Sequence, residues 1–566
     1  MLGLKRMGRR AGHWLLPLAS LALAACGSTE DENPASGGSG SGGSTAVGGS
    51  GSVTPPATAS QVGLITLRRL NRIEYGNTLR DLTGASKHYG QSFPPENLSF
   101  GFDNIGEALT IQPLHIELYE QSADAVLNEL FARPASDPLR TRILMCDAAA
   151  GGRACMIQML ISFAQYAYRR PVLEPEVTSL ADIAQAYVAD GGTADEGLKW
   201  AFKGVLLSPH FIYRVELDAD PSSKVPHRVS GFELASRLSY YLWSTMPDQP
   251  LLLDAQLGNL GTDVGLTAQI ERMMTDPRAS ALVSNFAGQW LNLRRTEQVA
   301  PDYTIFPAFD DELRSSLKAE SEQFFAELVQ KGRPISELLT GSFTYVNARL
   351  AKHYGMAAPA GSGFQRVELA GSPRLGFLTH ASFLTASSNP TRTSPVKRGK
   401  WVLDQLLCTP PPPPPPGVDA AGVDMGAASV RQRLEQHRAK EPCRSCHAIM
   451  DPIGLSFENY DAIGTYRTQD QYGPIDATGT LPTAAGDVSF LGANELVPIL
   501  ATDERLAKCV AERALTYAVG RGFTYTDEAT MKAVTDATAA SGKGFRGLFA
   551  SVALAEAFRS RRAVGE

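Results

Sequence analysis

Residues 443–447 read Cys-Arg-Ser-Cys-His and place two thiols and an imidazole within five positions. Thiols at this spacing can each form a thioether to one porphyrin while the adjoining imidazole binds its iron, so Cys-x-x-Cys-His points to c-type haem attachment. Cys443 and Cys446 are the expected thioether anchors and His447 the expected proximal iron ligand, for one covalent haem c. Zinc would need a second pair of ligands, and the chain has no other Cys-x-x-Cys and no His-x3–5-His. A thioredoxin-like dithiol would want a βαβ context that the flanks lack, which leaves a plain disulfide within the motif as the other alternative. Met450 follows His447 by three residues on the same local turn, so both side chains project toward one haem face and Met450 is expected to pack rather than ligate.

Other chemistry is sparse. There is no His-Glu-x-x-His, and neither Gly399-Lys400 nor Gly542-Lys543 is followed by the Ser or Thr of a phosphate-binding loop. His210, in SPHFIYR, has no evident partner base or nucleophile and is expected to be structural. Asp451, Glu458, Asn459 and Asp461 are expected to cap turns rather than donate protons.

Thioether chemistry requires an exported protein, and the N-terminus has the matching pattern. Lys5, Arg6, Arg9 and Arg10 precede an apolar run from Trp14 to Ala25, and Leu23-Ala24-Ala25 leads into Cys26. This is an export signal over 1–26 with a lipobox, so the mature chain is expected to start at a lipidated Cys26 and to reach the membrane through that N-terminal lipid anchor. Gly27 in place of Asp favours the outer membrane of the cell envelope. Residues 27–60 form a Gly/Ser-rich flexible tether with a reach of about 30–35 Å. Four cysteines remain for two disulfides in an oxidising compartment. Three pairings are formally open. Sequence proximity across a Gly-rich turn (147–153) pairs Cys146 with Cys155, leaving Cys408 with Cys509 as the long-range bridge. Reduced core thiols, the alternative, would alkylate after unfolding without reductant.

The elements that must position the motif are helical. The chain has 566 residues, 43% of them hydrophobic, and a formal net charge of −6, which gives no reason to expect a nucleic-acid partner. Ser230-Gly-Phe-Glu233 is a capping box opening a helix that Met246-Pro247 stops. Helical periodicity recurs over about 64–83, 112–131, 156–170, 195–217, 265–293, 310–331, 427–440, 504–519 and 544–559. Strand-like alternation is confined to Phe364–Leu369 and a possible hairpin in 473–490. Seven prolines, Pro410–Pro416, make a stiff rod between the helix ending near Cys408 and the motif. The fold class is mainly α: a multidomain helical protein with short β elements near a c-type haem module.

Seven segments together resemble a known family: LRRLNRIEYGNTLRDLTG (67–84), FAQYAYRRP (163–171), LLSPHFIYRVE (206–216), ELASRLSYYLWSTMPD (233–248), FLTASSNPTRTSPVKRGKWVLDQLL (383–407), CRSCHAIMDPIGLSFENYDAIGTYR (443–467) and CVAERALTYAVGRG (509–522). The chain is similar to the planctomycete-type cytochrome c proteins, exported multidomain proteins built of uncharacterised modules, from about 64 to 562. The resemblance implies a c-type haem module and little about substrate. It orders the chain as helical modules at 61–140, 141–205 and 206–340, a cytochrome c-like module at 341–475 and a C-terminal helical module at 476–566. Within the haem module, His380 in LGFLTHASF is the first candidate for the distal ligand, ahead of His437 and Met425. Arg392, Lys397, Arg398 and Arg467 are candidate partners of the haem propionates, against the reading of surface charges around a helix start at Thr393-Ser394-Pro395. The functional expectation is a monohaem lipoprotein passing electrons to an unidentified redox partner protein, or acting as an oxidoreductase. A peroxidase-like enzyme with an open distal site, and an envelope scaffold with a structural haem, are the alternatives.

Overall fold

Side-chain caps open the helices where the sequence supplies them. The Asn71 side chain accepts hydrogen bonds from the amides of Ile73 and Glu74 while the Glu74 carboxylate accepts one from the Asn71 amide, so the first helix runs Arg72–Thr83 and not from 64. The residues before it pair instead: Arg68–Arg69 lies antiparallel to Tyr213–Arg214. Ser230 and Glu233 close the same reciprocal box on helix Gly231–Trp243, which ends at Ser244 in the left-handed region, two residues before Met246. Prolines break two of the longer patterns: Ala194–Leu206 stops before Ser208-Pro209, and Asp263–Thr275 stops before Pro277.

The computed structural model describes residues 66–218, 220–223, 225–412, 429–439, 441, 443–483 and 486–562. The export signal, Cys26, the tether, Met425 and Pro413–Pro416 lie outside the described residues. The protein is mainly α, and among the described residues β structure is limited to five two-stranded antiparallel pairs with no strand longer than six residues, besides isolated bridges. Gln365–Glu368 pairs with Phe343–Val346, and Thr478–Thr483 pairs with Gly486–Leu491, at the places where alternation predicts strands. No described helix is long and apolar enough to cross a membrane.

One hydrophobic core draws on residues from Phe102 to Phe558. At its centre Phe286 packs 5.6 Å from Tyr517 and edge-on at 5.4 Å from Phe549, joining the middle of the chain to the C-terminal helices Glu504–Val519 and Phe545–Leu554. Removing such a buried ring costs about 3–5 kcal/mol, so Phe286→Ala would loosen segments more than 200 positions apart together. A second core, Leu70 to Met246, gathers the N-terminal helices.

Both expected disulfides form, Cys146–Cys155 from proximity and Cys408–Cys509 as the remaining pair. Cys146–Cys155 spans nine residues, and Cys408–Cys509 spans 101, tying the segment before the proline run to helix Glu504–Val519. In the chain-entropy account the long bridge contributes about 4.7 kcal/mol and the short one about 2–3 kcal/mol. Residues 147–153 are not a free turn: Asp147 caps helix Ala148–Ala167, which kinks at Gly152.

Two helices position the motif. Pro395–Trp401 crosses Cys443–Leu455 with backbone against backbone: a methyl group at Gly399 would collide with the Met450 carbonyl, and one at Gly454 with the Pro395 carbonyl. Only glycine allows this approach, and it fixes the depth of the motif helix against the core.

Candidate functional site

Cys443, Cys446 and His447 occupy the first turn of helix Cys443–Leu455, where the i, i+3 and i+4 positions share a face. The helix divides lengthwise: Arg444, Ser445, Ala448 and Ile449 are exposed, whereas Met450 to Leu455 are buried. Cys443 and Cys446 are half-buried free thiols, not bonded to each other. Ile449, one turn beyond Cys446, leaves an apolar side chain 42% exposed. Met450 is buried against Gly399, away from solvent, as its expected packing role requires.

His447 is braced from below. Its Nδ1 lies 2.9 Å from Oδ1 of Asp451, one helical turn on, and Asp451 is fully buried. Nδ1–H donates to the carboxylate, which settles the tautomer and leaves the Nε2 lone pair for a metal. Among the described residues the second oxygen of Asp451 has no hydrogen-bond partner, and His447 is the side chain that satisfies this buried carboxylate. Asp451, expected from the sequence to cap a turn, instead holds the His447 ring. Its signal, a carboxylate four residues after the imidazole on one helix face, is present in the sequence.

The second imidazole at the site is His437. Helix Val430–Arg438 packs on the motif helix and sets the His437 ring edge-on to His447, with centroids 4.7 Å apart. Burial, then the neighbouring His447, holds His437 below the usual histidine range. His353 faces the Ile463 carbonyl and His227 faces Asp218, both away from the motif. His210 lies beside Glu176 and Arg170, in a structural setting.

His380, the first distal candidate, is in a different environment. It is buried, with Nδ1 3.0 Å from Ser321 Oγ and Nε2 3.4 Å from Thr344 Oγ1 and 3.9 Å from Glu320, under the rings of Phe324 and Phe377. Both ring nitrogens face protein partners, which leaves neither for iron.

The four cationic candidates also separate. Arg398 is fully buried and donates to the carbonyls of Phe457, Tyr460 and Asp461 at 2.6, 3.0 and 2.8 Å, clamping the chain that follows the motif helix. Burial pulls its pKa down to about 10, with Glu458 opposing. A guanidinium spent on three carbonyls is a scaffold element and not a propionate partner. Arg467 donates to the Glu458 carbonyl and carboxylate at 3.1 and 3.3 Å, and the carboxylate also accepts from Thr393. Arg392 is exposed, and Lys397 bonds Asn389 at 2.6 Å. Asp461 caps a turn through the amides of Ile463 and Thr465, as expected.

The donor set fits a c-type haem: two free thiols and a carboxylate-braced imidazole on one face, with a second imidazole opposite the first turn. It does not fit a bare metal ion, since no group of three or more His, Cys, Asp or Glu side chains among the described residues is arranged to hold one.

Five family models match the chain, each described as a protein of unknown function: DUF1587 over 68–132, DUF1595 over 155–216, DUF1592 over 229–356, DUF1588 over 374–470 and DUF1585 over 486–558. All five belong to the planctomycete cytochrome c-like multidomain family, and the motif helix and its glycine-packed neighbour fall within the DUF1588 match. No curated protein and no solved structure matches the chain.

Proposed function

We propose that this chain of five planctomycete cytochrome c-like modules is an exported monohaem c-type lipoprotein that transfers electrons at the cell envelope. Cys443 and Cys446 would hold the haem through thioethers and His447 would bind its iron, with the His437 ring beside His447. The haem supplies a one-electron iron couple when bound. The chain supplies orientation: Asp451 holds the His447 ring, and the Gly399–Gly454 crossing with the Arg398 clamp keeps the motif helix from shifting. In this reading a lipidated Cys26 and the tether would hold the module at the outer membrane.

The observation that carries the reading is the His447–Asp451 brace set beside two thiols left unpaired. Expression with a c-haem maturation system, followed by a pyridine haemochrome assay and intact mass, tests it. One covalent haem per chain, low-spin spectra in both oxidation states, and no attachment in Cys446→Ala are the expected results. A colourless mature protein whose mass lacks the haem overturns the reading.

A further inference from the structure

The face of helix Pro395–Trp401 turned away from the motif borders a cavity of about 250 Å³. Gly399 points at the motif helix, and at about 100° per residue Lys397, Lys400 and Trp401 lie on the far side of the helix from it. The floor of the cavity is apolar and aromatic: Leu291, Phe383 and Trp401, with the Phe383 and Trp401 rings 4.9 Å apart. With the Asn292 amide oxygen turned toward it, the Trp401 indole N–H donates at 3.0 Å, which pins that wall.

The rim is cationic and lacks counter-ions. Among the described residues Arg295 and Lys400 make no side-chain hydrogen bond or ion pair, and Lys397 has only the neutral Asn389 amide and the Ser388 carbonyl. Burial, then Arg295 and Arg392, holds the Lys397 ammonium below the usual lysine range, as a positive surrounding field requires. Asp404 is the single acid lining the cavity, and Arg513 already holds it at 3.1 Å. Asp404 and Gln405 belong to a π-helical segment, Val402–Leu406, a local distortion often found at functional sites.

We propose that this cavity binds a small aromatic carboxylate, its ring on the Phe383–Trp401 floor and its carboxylate among Arg295, Lys397 and Lys400. A ring of benzoate or phthalate size suits the volume, and three unpaired cations favour one or two carboxylate groups over a neutral ligand. The site does not depend on haem at His447.

Calorimetric titration of the whole protein with phthalate, with benzamide as the neutral control, tests the proposal. The expected result is saturable phthalate binding, no benzamide binding, and at least a tenfold weaker Kd in the Arg295→Gln/Lys400→Gln double variant. The charge-conserving Arg295→Lys/Lys400→Arg variant is expected to retain binding, which separates lost charge from lost fold. No saturable heat with phthalate, equal binding by wild type and the Gln double variant, or equal binding of benzamide overturns the proposal. Full displacement of phthalate by equimolar inorganic phosphate also overturns it, because the aromatic floor would then contribute nothing.

Discussion

His447 with Asp451 and His380 with Glu320 are two histidine–carboxylate pairs built for different ends. In the first, the carboxylate is buried and the imidazole is on the partly exposed first turn of a helix, with one nitrogen held and the other free. In the second, both groups are buried and every polar atom has a neighbour: Glu320 accepts from Thr344 and Tyr354 at 2.7 and 2.6 Å, and His380 faces Ser321 and Thr344. Burial pushes Glu320 up to about 7 and pulls His380 down to about 3, so desolvation drives both toward their neutral forms. The difference teaches that an imidazole keeps a nitrogen available when its partner is buried and its second nitrogen is not. When both are enclosed, the pair specifies packing.

Breaking the two pairs separately gives the largest contrast. His447→Ala is expected to abolish the low-spin haem spectrum, whereas His380→Ala is expected to leave the spectrum unchanged and to lower unfolding free energy by about 3 kcal/mol, read by urea denaturation. The pH dependence of stability sharpens it. Glu320, raised from 4.5 to about 7, contributes stability that is complete below 4.5 and is lost as pH rises to 7; His380, lowered from 6.5 to about 3, contributes stability present above 6.5 and lost as pH falls toward 3. Between pH 4.5 and 6.5 the two slopes oppose and cancel. Glu320→Gln is expected to unmask a rise of about 1.4 kcal/mol per pH unit across that window, and His380→Gln a fall of the same size; identical flat profiles in both variants would dissolve the contrast.

Asp451→Asn addresses the open pair alone. A weakened second-shell bond is expected to cost roughly 10- to 100-fold in ligand strength, moving the acid-induced loss of the low-spin spectrum up by about 1–2 pH units. Met450→Leu is the smallest change: under about 1.5 kcal/mol of stability and no spectral shift, because the side chain packs on Gly399 away from the exposed turn. A changed axial spectrum in Met450→Leu would place the iron on the wrong side of this helix.

Much of the site was legible locally. Spacing alone put Cys443, Cys446 and His447 on one helical face and turned Met450 inward, since both follow from 3.6 residues per turn. The pairing of Cys146 with Cys155 followed from proximity, and that of Cys408 with Cys509 by elimination. Arg398 and His380 could not be read this way. Each belongs to a motif-like segment and looks chemically available, but its state depends on which carbonyls or hydroxyls arrive from 60 positions away. The start of the first helix was missed by eight residues because Arg68–Arg69 pairs with a strand at 213–214, a contact with no local signature.

The sequence by itself determined the chemistry on offer at 443–447 and the helical class, because these depend on residue type and on spacings within a turn or two, and the short Cys146–Cys155 pair left only one partner for each of the two remaining cysteines. The tertiary structure decided which polar groups remain available. It buried His380 and Arg398 among long-range partners, brought His437 onto His447, and left Arg295, Lys397 and Lys400 around one cavity without a counter-ion. Desolvation and hydrogen-bond satisfaction are properties of the packed surroundings, and no window of sequence contains them.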